Sequence, residues 1–270
     1  MTGFKADAFR ALHSDSRAFV IANAWDGASA RILAAQGFKA LATSSGAAAA
    51  TLGRGDGRIS RDESLEGARV IVQNTSLPVS ADLEKGFGDD PATVADTIRR
   101  AAAIGLAGGS IEDFTGDAAN PLFDEGLAVE RIVAAVEAAR SIPGGFVLTA
   151  RCENFLRGRT DLDATVRRLQ AYERAGADVL FAPGLPDLAA VRAVCREVSR
   201  PVNFMAGLPG KSFTVPELVD AGVKRISLAA SLYRAAMTSL VAAAREVLEQ
   251  GTFTYIDSSI PSRELNALLG

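Results

Sequence analysis

Short apolar runs alternate with amphipathic, helix-patterned runs along almost the whole 270-residue chain. Eight short runs, at 18–22, 39–43, 78–82, 108–112, 146–151, 178–182, 201–205 and 225–229, predict strands. Their near-continuous apolarity suits strands buried on both faces of a parallel sheet. The intervening segments carry helix ends. Residues 60–63 (Ser-Arg-Asp-Glu) and 214–217 (Thr-Val-Pro-Glu) read as capping boxes, and Asp90-Pro91 as a cap before a first-turn proline. Gly37, Gly105, Gly176, Gly222 and Gly251 sit where helices should stop. No Pro/Ser-rich linker divides the chain. Eight strand–helix units in about 250 residues is the size of a (β/α)8 barrel. A doubly wound open sheet is the alternative, but no dinucleotide fingerprint supports it. The expectation is one α/β domain over residues 1–270, a (β/α)8 TIM-type barrel, with 252–270 as a C-terminal extension that carries another short helix at 261–269.

Composition narrows the function. With 29 basic and 32 acidic residues the net charge is −3, which argues against a nucleic-acid or membrane-surface partner. The most apolar stretch, 228–248, is interrupted by Arg234 and Arg245, so no spanning helix is expected there. Residues 1–15 carry Lys5, Asp7 and Arg10 and no apolar secretory core. Two cysteines, Cys152 and Cys195, are too few for a disulfide framework and fit a reducing cytosol. A cytoplasmic location follows as an expectation.

In such a barrel the C-terminal strand ends and the loops after them form the active site. Asn23, Trp25 and Asp26 follow the first strand, and Thr43, Ser44, Ser45 and Gly46 the second, whose loop reaches Asp56. The third gives Asp82 and Glu84, the fourth Glu112 and Asp113, the fifth Arg151 and Glu153, the seventh Asn203 and the eighth Ser227. Asp82 and Glu84 are two apart, so both can point to the same side, and Arg151 and Glu153 share that relation. Asp56, Asp82, Glu84 and Glu112 can then converge on one cavity. Carboxylates facing each other there repel and raise each other's pKa. Two arrangements relieve the repulsion: a divalent cation, or a carboxylate–arginine network. Only Arg151 lies at a strand end to balance the acids, which favours the cation. The donors are all oxygen, which suits Mg²⁺ or Mn²⁺ and not Zn²⁺.

Other signals carry less. Residues 207–212 (Gly-Leu-Pro-Gly-Lys-Ser) end like a phosphate loop, but Met205 stands where its first glycine belongs, leaving only a weak anion-site reading. Residues 53–57 are glycine-rich, but Arg58 breaks a dinucleotide pattern. His13 lies in the N-terminal helical segment, away from the strand ends, so proton transfer must use other groups. Cys152 and Cys195 read as buried core thiols.

These segments together resemble the isocitrate lyase/phosphoenolpyruvate mutase superfamily. The likeness is carried by residues 23–30 (Asn-Ala-Trp-Asp-Gly-Ala-Ser-Ala), Thr43-Ser-Ser-Gly46 with Leu52-Gly-Arg-Gly-Asp56, and Ala81-Asp-Leu-Glu-Lys-Gly-Phe-Gly88. Ile111-Glu-Asp113, Ala150-Arg-Cys-Glu153, Gly176-Ala-Asp178 and Pro201-Val-Asn203 extend it over nearly the whole chain. The resemblance implies a barrel whose last helix is exchanged between subunits of a homodimer or homotetramer. It implies a Mg²⁺ (or Mn²⁺) site with Asp82 as direct ligand and Glu84, Glu112 and Asp56 holding metal-bound waters. It gives Trp25, Ser45, Gly46 and Ala47 to the substrate carboxylate, and Arg151 to the far end of the substrate. Asn203 joins the substrate-binding set, and Asp56, Glu112 and Arg151 are the expected catalytic residues.

The implied chemistry is lyase chemistry on a small 2-oxo carboxylic acid. Such an acid can chelate Mg²⁺ through its keto oxygen and a carboxylate oxygen, and the metal stabilises charge that develops as a bond beyond C3 breaks. One segment departs from the family. Carbon–carbon lyases of the superfamily carry a Lys-x-Cys-Gly-His type segment after the fourth strand. This chain has Phe114-Thr-Gly-Asp-Ala-Ala-Asn-Pro121, with no cysteine, histidine or lysine. A mutase-like lysine is also missing, with Asn120 alone, and Phe181-Ala-Pro-Gly184 replaces the histidine of the phosphonate branch. A reaction whose departing fragment needs no acid, such as decarboxylation of an oxaloacetate-like substrate, fits best. Phosphorus–carbon chemistry on a phosphonopyruvate-like substrate, methylisocitrate-type cleavage and 2-oxo acid binding without turnover are the alternatives. The 114–124 loop is expected to act as a mobile lid.

Overall fold

The computed structural model describes residues 2–211 and 213–270, with side chains from Lys5 onward. Ser212 of the glycine-rich 207–212 segment lies outside the described residues. In chain order the elements are α1 (Thr2–Ser14), β1 (Phe19–Asn23), α2 (Gly27–Ala35), β2 (Leu41–Ala42), α3 (Ser45–Thr51), α4 (Arg61–Gln73), β3 (Val79–Asp82), α5 (Pro91–Ala103), β4 (Gly108–Glu112) and α6 (Glu125–Arg140). They continue as β5 (Val147–Arg151), α7 (Leu162–Ala175), β6 (Val179–Phe181), α8 (Leu188–Glu197), β7 (Val202–Met205), α9 (Val215–Asp220), β8 (Arg225–Ser227), α10 (Ser231–Arg245) and α11 (Ser262–Leu269). All neighbouring strands pair in parallel, and β8 closes on β1 through Phe19 opposite Arg225 and Ile21 opposite Ser227. This is the closed (β/α)8 barrel that the alternation predicts.

All eight strands form where expected, and several are shorter. β8 stops at Ser227 because Ala229 adopts a left-handed φ of 49°, which a strand cannot contain. β3 likewise stops at Asp82, and Glu84 sits at φ 50°, so the two-residue strand parity that pairs Asp82 with Glu84 does not hold there. The caps form as predicted. Ser60 and Thr214 each exchange bonds with the acid three residues on, and Asp90 accepts from the Thr93 amide. The five stop glycines all take positive φ.

Two layers divide the core. Ala81, Ile111, Leu148, Ala150, Leu180, Val202 and Ile226 face outward beneath the helix ring. Ile21, Val147 and Val179 face inward and meet Ala6 and Phe9 of α1, which plugs the N-terminal end of the barrel. The plug is tight: a Cβ on Gly108 would lie 2.6 Å from the Val147 carbonyl oxygen and 2.9 Å from the Phe9 ring. Above the plug several inward residues are small (Ala42, Ser80, Ser110, Ser227), which leaves space at the C-terminal end.

The last segments behave differently. Every residue of α10 is half-buried or exposed, and Leu240 and Val241 are 60% and 48% exposed. Residues 252–270 turn back, and α11 lies against α2 of the same chain, with Arg31 Nη1 donating to the Leu269 carbonyl at 2.5 Å. No helix of the described residues is long and apolar enough to cross a membrane.

Candidate active site

A cavity of about 240 Å³ opens at the C-terminal end of the strands. Its wall brings together Ser45, Gly46, Asp56, Asp82, Arg151 and Asn203 from the sequence-predicted set. Trp25 and Ala47 do not line it. Trp25 lies in an adjoining groove and packs edge-on against Tyr233 of α10, with ring centroids 5.4 Å apart, and Ala47 is buried behind the wall. Glu84 and Glu112 sit behind the same wall.

Asp82 is held from several sides. Its Oδ2 accepts from the Ser45 amide at 3.3 Å, its Oδ1 from the Glu84 amide at 3.2 Å, and its own amide donates to Thr43 Oγ1 at 2.9 Å. Two of the three backbone amides expected to face a substrate carboxylate are thereby engaged: Ser45 by Asp82, and Ala47 by the Ser44 hydroxyl at 3.5 Å. Asn23 spans three strands, donating to the Thr43 carbonyl at 2.6 Å and accepting from the Leu228 amide at 3.0 Å.

Arg151 is the hub. Its Nε lies 2.5 Å from Glu153 Oε1 and 3.3 Å from Glu112 Oε2, and its Nη1 lies 3.8 Å from Asp82 Oδ2. Three carboxylates hold its pKa above the usual arginine value despite full burial. Two further cations, which are not at strand ends, complete the network. Arg157 Nη2 lies 2.9 Å from Glu153 Oε2, and Arg168 Nη1 donates to Asp113 Oδ2 at 3.1 Å. Asp113 also accepts from the Tyr172 hydroxyl at 2.7 Å and from the Glu153 amide at 2.8 Å. Arg157, Arg168 and Tyr172 were not anticipated; the spacing of Arg157 four residues after Glu153 was the available signal. The shortage of cations that favoured a metal is therefore smaller than the strand ends alone suggest. Cys152 is buried beneath the helices, and burial pushes its thiol pKa up, as suits a core residue.

Arginines do not reach all the acids. Glu84 Oε1 is buried with no hydrogen-bond partner. Burial, with the neighbouring charges of Asp82 and Asp56, raises the Glu84 pKa to about 7. Burial also raises Glu112, against the pull of Arg151. No three His, Cys, Asp or Glu side chains among the described residues form a preassembled ligand cluster. One carboxylate binding directly, with others reaching through water, remains compatible with this spacing, and the orphaned oxygen and raised acids fit a hard divalent cation beside Asp82.

The loop after β4 is folded on itself. Phe114 and Leu122 form an antiparallel bridge, Thr115 Oγ1 donates to the Asn120 carbonyl at 2.6 Å, and residues 116–120 are exposed at its tip.

The family model described as phosphoenolpyruvate phosphomutase matches residues 9–248. The chain belongs to the isocitrate lyase/phosphoenolpyruvate mutase superfamily. This superfamily member is 34% identical to 2-methylisocitrate lyase of Escherichia coli K12 over 209 residues, 74% of this chain and 69% of that enzyme. It is 28% identical to oxaloacetate decarboxylase of Bradyrhizobium diazoefficiens over 77% of this chain and 72% of that one. Among solved structures, a Burkholderia cenocepacia J2315 protein described as a lyase/mutase superposes with a TM-score of 0.96 and 51% identity, covering 98% of this chain and 95% of its own. Superfamily members act as lyases and mutases, which supports an enzyme here.

Proposed function

We propose that this protein is a divalent-metal-dependent lyase that acts on a small 2-oxo di-acid, with an oxaloacetate-like substrate as the leading candidate. The observation that carries the reading is the cavity itself, whose wall sets Asp82 3.8 Å from Arg151, with the orphaned oxygen of Glu84 behind Asp82. Its small volume suits an acid of a few carbons.

Asp82 would hold the cation directly, with Glu84, Glu112 and Asp56 reaching it through water. A bound Mg²⁺ or Mn²⁺ would supply Lewis-acid stabilisation of negative charge on the substrate. The chain's own residues do the rest. Arg151 attracts the far carboxylate of the substrate, its guanidinium held in place through Nε by Glu153 and Glu112. Gly46 leaves room for the near carboxylate beside Asp56: a Cβ there would lie 3.3 Å from Asp56 Oδ2. Bond cleavage beyond C3 leaves an enolate that a proton must quench. The 114–124 loop offers no cysteine, histidine or lysine for a departing fragment, which favours loss of carbon dioxide over loss of a larger acid.

The oligomer belongs to the same proposal. α10 covers little of its own barrel and presents Leu240 and Val241 outward, so a partner subunit completes its burial in a dimer or tetramer. Cys152 and Cys195 are unpaired, in keeping with a cytoplasmic protein.

A turnover panel of oxaloacetate, phosphonopyruvate and methylisocitrate, with Mg²⁺ and with chelator, tests the reading. Metal-dependent release of pyruvate from oxaloacetate is expected. Turnover of phosphonopyruvate alone, or binding without turnover of any acid, would replace it.

A further inference from the structure

The barrel floor holds a charge that no acid balances. Arg225 opens β8, is 5% exposed and lines the bottom of the cavity. Its Nε donates to Asn203 Oδ1 at 2.8 Å, its Nη2 donates to Thr149 Oγ1 at 3.0 Å, and its Nη1 lies 3.4 Å from His13 Nε2. All three partners are neutral groups. His13 Nδ1 sits 2.8 Å from the Phe9 carbonyl, so that nitrogen carries the proton and Nε2 turns its lone pair to Arg225. Among the described residues no carboxylate pairs with Arg225. Burial alone lowers its pKa, to about 9, and it stays charged at neutral pH.

A buried guanidinium without a counter-charge costs stability, and an apolar side chain of similar length would not carry that cost. Elsewhere in the cavity the only other cation, Arg151, is already shared among Asp82, Glu112 and Glu153. Among the described residues, Arg225 is therefore the cavity-wall cation that no carboxylate of the chain shares, and its full charge acts on an incoming anion beside the shared charge of Arg151. It also sets the wall's hydrogen-bond polarity. Nε can only donate, so the oxygen of Asn203 must face it and the Asn203 Nδ2 must face outward, where it donates to Ser227 Oγ at 3.0 Å. The Ser227 hydroxyl proton, held only by a 3.4 Å contact to the Phe204 carbonyl, can then turn into the cavity.

We propose that Arg225 is a positioning residue that selects dianionic over monoanionic acids, through its uncompensated charge and through the Asn203–Ser227 pair that it orients. The proposal rests on the 2-oxo acid reading above and deepens it by assigning the source of charge selectivity.

Oxalate and oxamate, of equal size but differing by one charge, are the probes. Calorimetric titration of the full chain with Mg²⁺ present gives an affinity for each, and comparing their ratio between two proteins cancels the metal's own preference. Wild type is expected to favour oxalate. Arg225→Met should weaken oxalate about tenfold and oxamate only about threefold, with a melting temperature equal to or above wild type. If the variant weakens both anions equally, or neither, Arg225 is a packing residue and the proposal falls. Should Arg225→Met fail to fold, Arg225→Lys keeps a charge at the floor and should keep the oxalate preference, and loss of that preference would overturn the proposal. If wild type binds neither anion, the 2-oxo acid reading itself fails and takes the proposal with it. That outcome is separate from a variant that matches a binding-competent wild type.

Discussion

The Arg157 guanidinium lies 3.4 Å from the centre of the Phe114 ring, so the first residue of the β4 loop rests on the second cation of Glu153. Glu153 is fully enclosed and divides its charge between Arg151 and Arg157, and the Arg157 Nε is buried without a partner. Removing Arg157 leaves a buried carboxylate with one counter-charge. Arg157→Gln should cost about 2–3 kcal/mol in denaturant unfolding. Glu153→Gln in the same chain should recover part of that loss. A double variant that loses the sum of the two single losses would show that the pair is not coupled.

Metal binding should depend on Asp82 most and on Glu84 less. Asp82→Ala is expected to abolish Mg²⁺ binding in calorimetry, and Glu84→Gln to weaken it about tenfold by removing a carboxylate that is otherwise orphaned. Unchanged affinity in Asp82→Ala would leave the arginine network as the sole means of relieving these acids.

Stability should fall as the pH drops below about 6.5, in part through His13. Burial, and then the nearby Arg225 charge, lower its pKa from 6.5 to about 3. The unfolded chain therefore binds a proton between those two values that the folded chain does not, and stability is lost on acidification across that window, by at most about 1.4 kcal/mol per pH unit. Glu84, raised to about 7, has the opposite sign: its folded form holds the extra proton, so it loses stability as the pH rises from about 4.5 to 7. Comparison with His13→Gln separates the two. That variant should show a shallower loss of melting temperature between pH 7 and pH 4, and an identical slope would show that His13 does not stay neutral in the fold.

The barrel was legible because its code is local. Strand runs, capping boxes and stop glycines each act within a few residues, and each formed where its chemistry placed it. The site was legible only where it follows strand ends. Asp82, Arg151 and Asn203 reach the cavity because the barrel delivers them there. Arg157 and Arg168 lie on a short turn and a helix, and no strand pattern reports them. Arg225 was in plain view as a cation within an apolar strand, but its lack of an acid partner is a three-dimensional fact. The position of Glu84 also could not be read, because a left-handed residue ends the alternation on which the parity argument depends.

Sedimentation should report a dimer or tetramer at micromolar concentration. The apolar residues of α10 are on the surface of the isolated chain, with Leu240 60% exposed. Leu240→Glu with Val241→Glu should shift the population toward monomer while leaving the barrel's own core untouched. A wild-type monomer would mean that α10 packs on its own barrel in solution.

Shortening the β4 loop should separate chemistry from metal binding. Its tip, residues 116–120, is exposed and held only by internal bonds around Thr115, Asp117 and Asn120, whereas its base is fixed by the Phe114–Leu122 bridge and by Lys85, which donates to the Thr115 carbonyl at 2.7 Å. Replacing 116–120 with two glycines removes the tip and spares the base. If the tip closes over the cavity to exclude water, kcat on the true substrate should fall at least about tenfold, while Mg²⁺ affinity stays within about twofold because no carboxylate near Asp82 is touched. A cysteine at Asp117 or Ala118 should not create isocitrate cleavage, since the lysine and histidine that flank such a cysteine in carbon–carbon lyases of the superfamily are absent here. Full activity in the shortened protein would make the loop a passive surface turn and remove one reason for preferring decarboxylation to simple binding.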